Sequence, residues 1–141
     1  MKTTVLGILC CFFAFATAQG QKTTQELLTS THWEPQDFFY EGDCGYVRYT
    51  KTEFVTEMKI DGELRIFSYS YYLSSSPDAV FDSNKVGKNS SGKYIIEKGA
   101  GYVFIAEILE LTATKLVVKN LTQGFTATGK VTTYLPTKMK L

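Results

Sequence analysis

Three carboxylates, Asp37, Glu41 and Asp43, fall close together along the chain. Two carboxylates at the right separation can act as general acid and base, and several together can hold Ca²⁺ through oxygen ligands. Their spacing matches no calcium loop, and a solvated acidic turn accounts for them more simply. His32, the single histidine, stands beside the single tryptophan, Trp33. With no second histidine and no nearby cysteine it lacks the co-ligands a metal site requires, so it reads as a surface or internally satisfied side chain. Trp33 reads as a structural plug rather than a ligand contact. No G-x-S-x-G elbow and no glycine-rich phosphate cradle occurs. Without a nucleophile, base and orienting group assembled by any motif, neither an enzyme nor a cofactor is expected.

The charge balance narrows the partners. Lys and Arg total 15 against 14 Asp and Glu in 141 residues, a formal net charge of +1. Nucleic acid demands a concentrated basic face, which so even a balance does not supply. Hydrophobic residues make up 44% and charged residues 21%, the composition of one ordinary folded domain.

The amino terminus reads as an address. Met1-Lys2 gives a positive start, residues 5–16 form an apolar run, and Ala16-Thr17-Ala18 supplies the small-x-small pattern of a signal peptidase site. Residues 1–18 are therefore expected to be a cleaved Sec signal, placing the mature protein in the periplasm or outside the cell. The run is too short to span a bilayer, so no membrane span is expected in residues 19–141. Lipidation at Cys10 or Cys11 would leave Phe12-Phe13-Ala14-Phe15 on the mature surface, which favours soluble export. Cys44 is then the lone cysteine, so no internal disulfide framework can form and stability must come from a packed core. That thiol is either buried and inert or a site for an intermolecular disulfide.

The elements that would position these groups are short runs of β-branched and aromatic residues separated by turn signals. Strands are predicted over residues 33–40, 46–50, 53–60, 63–73, 93–97, 102–111, 115–121 and 125–135, after a short helical turn over 25–30 capped by Thr23 or Thr24. One irregular stretch, 74–92, interrupts them. A meander of consecutive hairpins that closes on itself removes its own edges, so the expected fold is an all-β, antiparallel up-and-down barrel of about eight strands.

Register decides which side chains face inward. Around Asp61-Gly62, a three-residue loop pairs Lys59 with Glu63 and Glu57 with Arg65, and is preferred over a two-residue loop that sets Met58 opposite Arg65. That choice turns Ser68, Ser70 and Tyr72 inward and leaves Phe67, Tyr69 and Tyr71, with Phe104, on the outer face. A two-residue loop at Gln123-Gly124 sets Val118 opposite Gly129, and a loop over 112–115 pairs Leu109 with Val118, bringing Glu107, Asn120 and Gly129 inward. Small and polar inward positions leave volume unfilled and supply oriented hydrogen-bonding groups, as a ligand cavity needs. They serve equally where a barrel strand bends sharply. Ser68, Ser70, Tyr72, Glu107, Asn120 and Gly129 are thus the candidate ligand-binding residues. The aromatic stripe of Phe67, Tyr69 and Tyr71 is the candidate surface for a protein or glycan partner, unless the N-terminal segment or the 74–92 stretch covers it. Asn89-Ser90-Ser91 and Asn120-Leu121-Thr122 match the glycosylation sequon, which matters only in a eukaryotic host.

The lead Leu27-Leu28-Thr29-Ser30-Thr31-His32-Trp33 after a signal peptide resembles the start of the lipocalin-like proteins common in Bacteroidetes. Ile60-Asp61-Gly62-Glu63-Leu64 resembles that family's "DG" hairpin, and Gly92-Lys93-Tyr94-Ile95-Ile96 its "G-x-Y-x-I" strand. Ile108-Leu109-Glu110-Leu111-Thr112 with Lys115-Leu116-Val117-Val118 resembles its "I-x-x-L-T…L-x-L" hairpin. The resemblance implies a small calycin-type barrel in which Trp33 plugs one end, and a small apolar, amphipathic or glycan-like ligand. It implies no particular ligand.

Overall fold

The computed structural model describes residues 20–37 and 42–141. Among them, a short helix α1 (Thr24–Leu28) leads into eight strands: β1 (His32–Pro35), β2 (Cys44–Tyr49), β3 (Glu53–Ile60), β4 (Glu63–Ser74), β5 (Tyr94–Lys98), β6 (Val103–Thr112), β7 (Lys115–Asn120) and β8 (Val131–Thr137). Each strand pairs antiparallel with the next and β1 closes on β8, giving an up-and-down barrel of the expected class. The expected export signal, residues 38–40 of the first predicted strand, and Glu41 lie outside the described residues. Among the described residues no helix is long and apolar enough to cross a membrane.

α1 starts on a capping box. The Thr23 hydroxyl accepts from the Glu26 N–H at 3.2 Å, and the Glu26 carboxylate accepts from the Thr23 N–H at 2.7 Å. The helix closes one end of the barrel. Leu28, Trp33, Tyr71, Leu73, Ile95 and Leu116 meet there, none more than 1% exposed. The Trp33 indole N–H donates to the Leu28 carbonyl at 2.9 Å, which satisfies the one polar atom of an otherwise apolar plug. Gln25 adds a second tie, donating to the Tyr71 hydroxyl at 2.6 Å while that hydroxyl donates to the Thr50 carbonyl at 2.7 Å.

Three local features overturn the expected faces. First, Asp61 and Gly62 take φ of 52° and 82° and make a two-residue turn, so Ile60 pairs with Glu63 and Met58 with Arg65. Two successive left-handed residues are the signature of the hairpin turn whose twist matches its strands. One residue of slip moves every β4 side chain to the opposite face. Ser68, Ser70 and Tyr72 therefore point outward, and Phe67, Tyr69 and Tyr71 lie in phase with the interior. Second, a bulge at Leu109 breaks the β6–β7 ladder: Leu111 pairs with Leu116 as expected, but Ile108 pairs with Val118. Phe104, Ala106 and Ile108 thus face inward and Glu107 outward. Third, the β7–β8 connection runs over residues 121–130, and Val118 pairs with Thr132 rather than with Gly129. Thr132 and Tyr134 take the interior positions on β8, and Gly129 sits in the connection with φ of 82°.

The 75–92 stretch covers the outer face beside β4. The Tyr72 hydroxyl donates to Asp78 at 3.0 Å and its ring packs on Phe81, so Tyr72 is buried from outside the barrel. Asp78 also accepts from Ser74, from Ser76 and from Lys85, the last at 2.7 Å. These donors hold the Asp78 carboxyl down at about 2. The Asn89 amide donates to the Leu73 carbonyl at 2.8 Å. Gly92 crosses β4 so closely that a Cβ there would stand 2.7 Å from the Ser74 backbone.

Candidate functional site

The end of the barrel opposite α1 is not filled. A cavity of about 320 Å³ opens there, bounded by the inward residues of the strands and by the 121–130 connection. Its walls are aromatic and aliphatic. Tyr49, Phe54, Tyr69, Phe104 and Tyr134 supply rings, and Val47, Met58, Ala106 and Val118 supply the remaining apolar surface. The rings are mutually braced at the cavity floor: Tyr49 stands edge-on to Tyr71 at 5.2 Å and 73°, and lies 5.2 Å from Phe54. At the mouth, Tyr102 and Phe125 pack at 4.8 Å, each somewhat over two-fifths exposed. Tyr102 reaches that position by lying over Gly99, where a Cβ would meet its ring at 2.6 Å. A side chain at this position would push the ring aside.

The polar groups of the cavity are few. Asn120, Thr56, Thr132 and Lys130 contribute from the upper wall and rim, Lys130 being exposed. Asn120 spends its carbonyl oxygen on the Thr122 N–H at 2.8 Å, and the Thr122 hydroxyl accepts from the Ile105 N–H at 2.9 Å. Glu97 is the exception in kind. It lies on β5 between its cross-strand neighbours Tyr71 and Phe104, is 7% exposed, and lines the cavity. Among the described residues its carboxyl has neither a hydrogen-bond partner nor an ion-pair partner. Burial pushes it up to about 8. Its charge and their own burial raise the Tyr49 and Tyr134 hydroxyls, burial being the larger cause for each.

Of the six expected ligand-binding residues, the structure brings Asn120 to the cavity and no other. Ser68 and Ser70 are exposed on the outer face, Tyr72 is held by the 75–92 stretch, and Glu107 makes an outward ion pair with Lys93 at 2.6 Å. Gly129 donates its N–H to the Asn120 backbone carbonyl at 2.7 Å. The three residues of the expected aromatic surface are also displaced: Tyr71 is in the core, Tyr69 lines the cavity, and Phe67 stands half-exposed beyond its mouth. Glu97 and Tyr134 were not singled out by sequence. The available signal was phase, since Glu97 follows Ile95 by two positions and so shares its inward face.

The other reactive side chains serve the frame. His32 stacks on Tyr46 at 4.6 Å between ring centres, and the Tyr46 hydroxyl donates to Glu57 at 2.6 Å. Glu57 also accepts from Arg48 at 3.0 Å; the Tyr46 bond chiefly lowers its pKa and the Arg48 bond adds to this. Asp43 accepts from the Asp61 N–H at 3.2 Å, and Asp37 is exposed. Cys44 is a free, half-buried thiol opposite Lys59. Among the described residues no three His, Cys, Asp or Glu side chains gather as a metal site. The chain matches no protein-family model, no curated protein and no solved structure.

Proposed function

We propose that this protein is an exported, non-enzymatic barrel that carries a small apolar or amphipathic molecule in its interior, in the manner the lipocalin-like resemblance implies. The observation that carries the reading is the cavity of about 320 Å³ walled by aromatic and aliphatic side chains. A core packed for stability alone fills such space, because unfilled volume forfeits dispersion contacts along its whole lining. Here the filling side chains are concentrated at the α1 end, and Ala106 and Ala127 leave room at the other. A few polar groups among apolar walls suit orientation of one small ligand. Recognition through an outer aromatic stripe has less support, since Tyr69 and Tyr71 face inward.

The direct test is native mass spectrometry of the protein taken from its own host, beside a denatured spectrum. An added mass that disappears on denaturation supports the reading and weighs the ligand. Ala106→Leu, which intrudes on the cavity from a buried wall position, should abolish that added mass while near-ultraviolet circular dichroism stays native. A clean apo mass in the wild type, together with no uptake of neutral aromatic probes, would sink the proposal.

A further inference from the structure

We propose that the interior selects an amphipathic ligand bearing a protonated amine, with the Glu97 carboxylate as its counter-ion. This deepens the carrier reading and rests on it. The placement of Glu97 is the reason. A carboxyl 7% exposed, in phase with Ile95 and lining the cavity, has no partner among the described residues. Its oxygens open onto the cavity, so the carboxyl depends on the cavity's contents for its bonds, whereas a leucine at the same position would extend the apolar wall with no such need. The arrangement is favourable once a cation with N–H donors occupies the cavity beside it.

Among the described residues none is an internal substitute. Arg48, Lys85, Lys93 and Lys115 are engaged with Glu57, Asp78, Glu107 and Glu110. Lys130 reaches the same cavity from the exposed rim but makes no ion pair with Glu97. Among the described residues the groups that face the carboxyl are Tyr49 from β2, Tyr71 from β4, Phe104 from β6 and Tyr134 from β8, all aromatic. Ring faces attract an ammonium group, so the same walls that bury a ligand's apolar body also favour its charged end. An anionic amphiphile such as a fatty acid gains no attraction from the ring faces and gives Glu97 no reason to ionise. Because burial keeps the Glu97 proton on at neutral pH in the empty barrel, ammonium binding ionises the carboxyl and sends that one proton to solvent.

The test uses three probes of one shape: 2-(1-naphthyl)ethylamine, 2-(1-naphthyl)ethanol and 1-naphthylacetate, titrated calorimetrically into the wild type and Glu97→Gln at pH 7. The expected result is amine binding about tenfold tighter than the alcohol, with the acetate weakest, and loss of the amine preference in Glu97→Gln while alcohol affinity is kept. Titrations of the wild type in two buffers of different ionisation enthalpy should show proton release with the amine and none with the alcohol, a readout independent of how well the variant folds. If the alcohol binds as tightly as the amine, or no proton is released, the amine inference fails and the carrier reading stands. If none of the three binds, the amine inference fails, and a clean apo mass beside that result sinks the carrier reading as well.

Discussion

Trp33 in the plug and Glu97 in the cavity wall differ in how their polar atoms are met. The indole N–H of Trp33 has the Leu28 carbonyl, so Trp33→Phe should cost about 1–2 kcal/mol by stranding that carbonyl. Trp33→Ala should cost on the order of 3–5 kcal/mol because a cavity is added. Urea unfolding of the two variants separates the bond from the packing. Glu97 leaves its mark in pH. Its carboxyl ionises near 4.5 when exposed and at about 8 in the barrel, so the unfolded chain releases the proton first. Stability is therefore greatest below that window and declines as pH climbs through it. Glu97→Gln should remove the decline and be the more stable protein above pH 8, measured by thermal unfolding across the range. Asp78 has the opposite sign. Its pKa falls from 3.8 to about 2 on folding, so its contribution is present above 3.8 and is lost as pH drops through 2. Asp78→Asn should flatten that acid limb and speed protease cleavage within residues 75–92.

The β3–β4 hairpin governs more of the interior than any single core residue. Its turn residues Asp61 and Gly62 both take positive φ, and Gly62 has open space around it, so a side chain there meets backbone strain alone. Gly62→Val should cost about 1–2 kcal/mol in chemical denaturation, and Asp61→Asn close to nothing. This hairpin also explains what the sequence did and did not disclose. The all-β class, the eight-strand closure and the capped helical turn follow from alternation and turn chemistry, while Trp33 as a plug follows from its residue type and the family resemblance. The faces of β4 do not. Two ion pairs across the hairpin argued for the longer loop, yet exposed pairs contribute little, and Glu57 finds Tyr46 and Arg48 on β2 instead. What decides the register is the turn geometry together with burial of Tyr69, Tyr71 and Leu73. The bulge at Leu109 was equally hidden, because alternation cannot mark where a strand gains one residue. The turn displaces Ser68, Ser70 and Tyr72, the bulge Glu107, and the long 121–130 connection Gly129, so Asn120 is the one candidate inside.

At the scale of the molecule the barrel is divided along its axis, sealed and packed beside α1 and hollow at the other end, so stability and binding are drawn from different residues. The seam between β1 and β8 completes both halves. β1 makes four residue pairs with β8 and two with β2, and the seam joins positions roughly a hundred residues apart along the chain. The strands between them are linked as successive hairpins, each able to form from neighbours. Tyr134→Ala, on the β8 side of the seam, should therefore raise the unfolding rate more than it slows refolding, as read from a denaturant chevron. In time rather than in space, the seam is the last event. Until β8 arrives, a growing chain is an open sheet with two adhesive margins and no interior volume at all, so ligand loading and escape from aggregation begin together, at the moment the final strand docks.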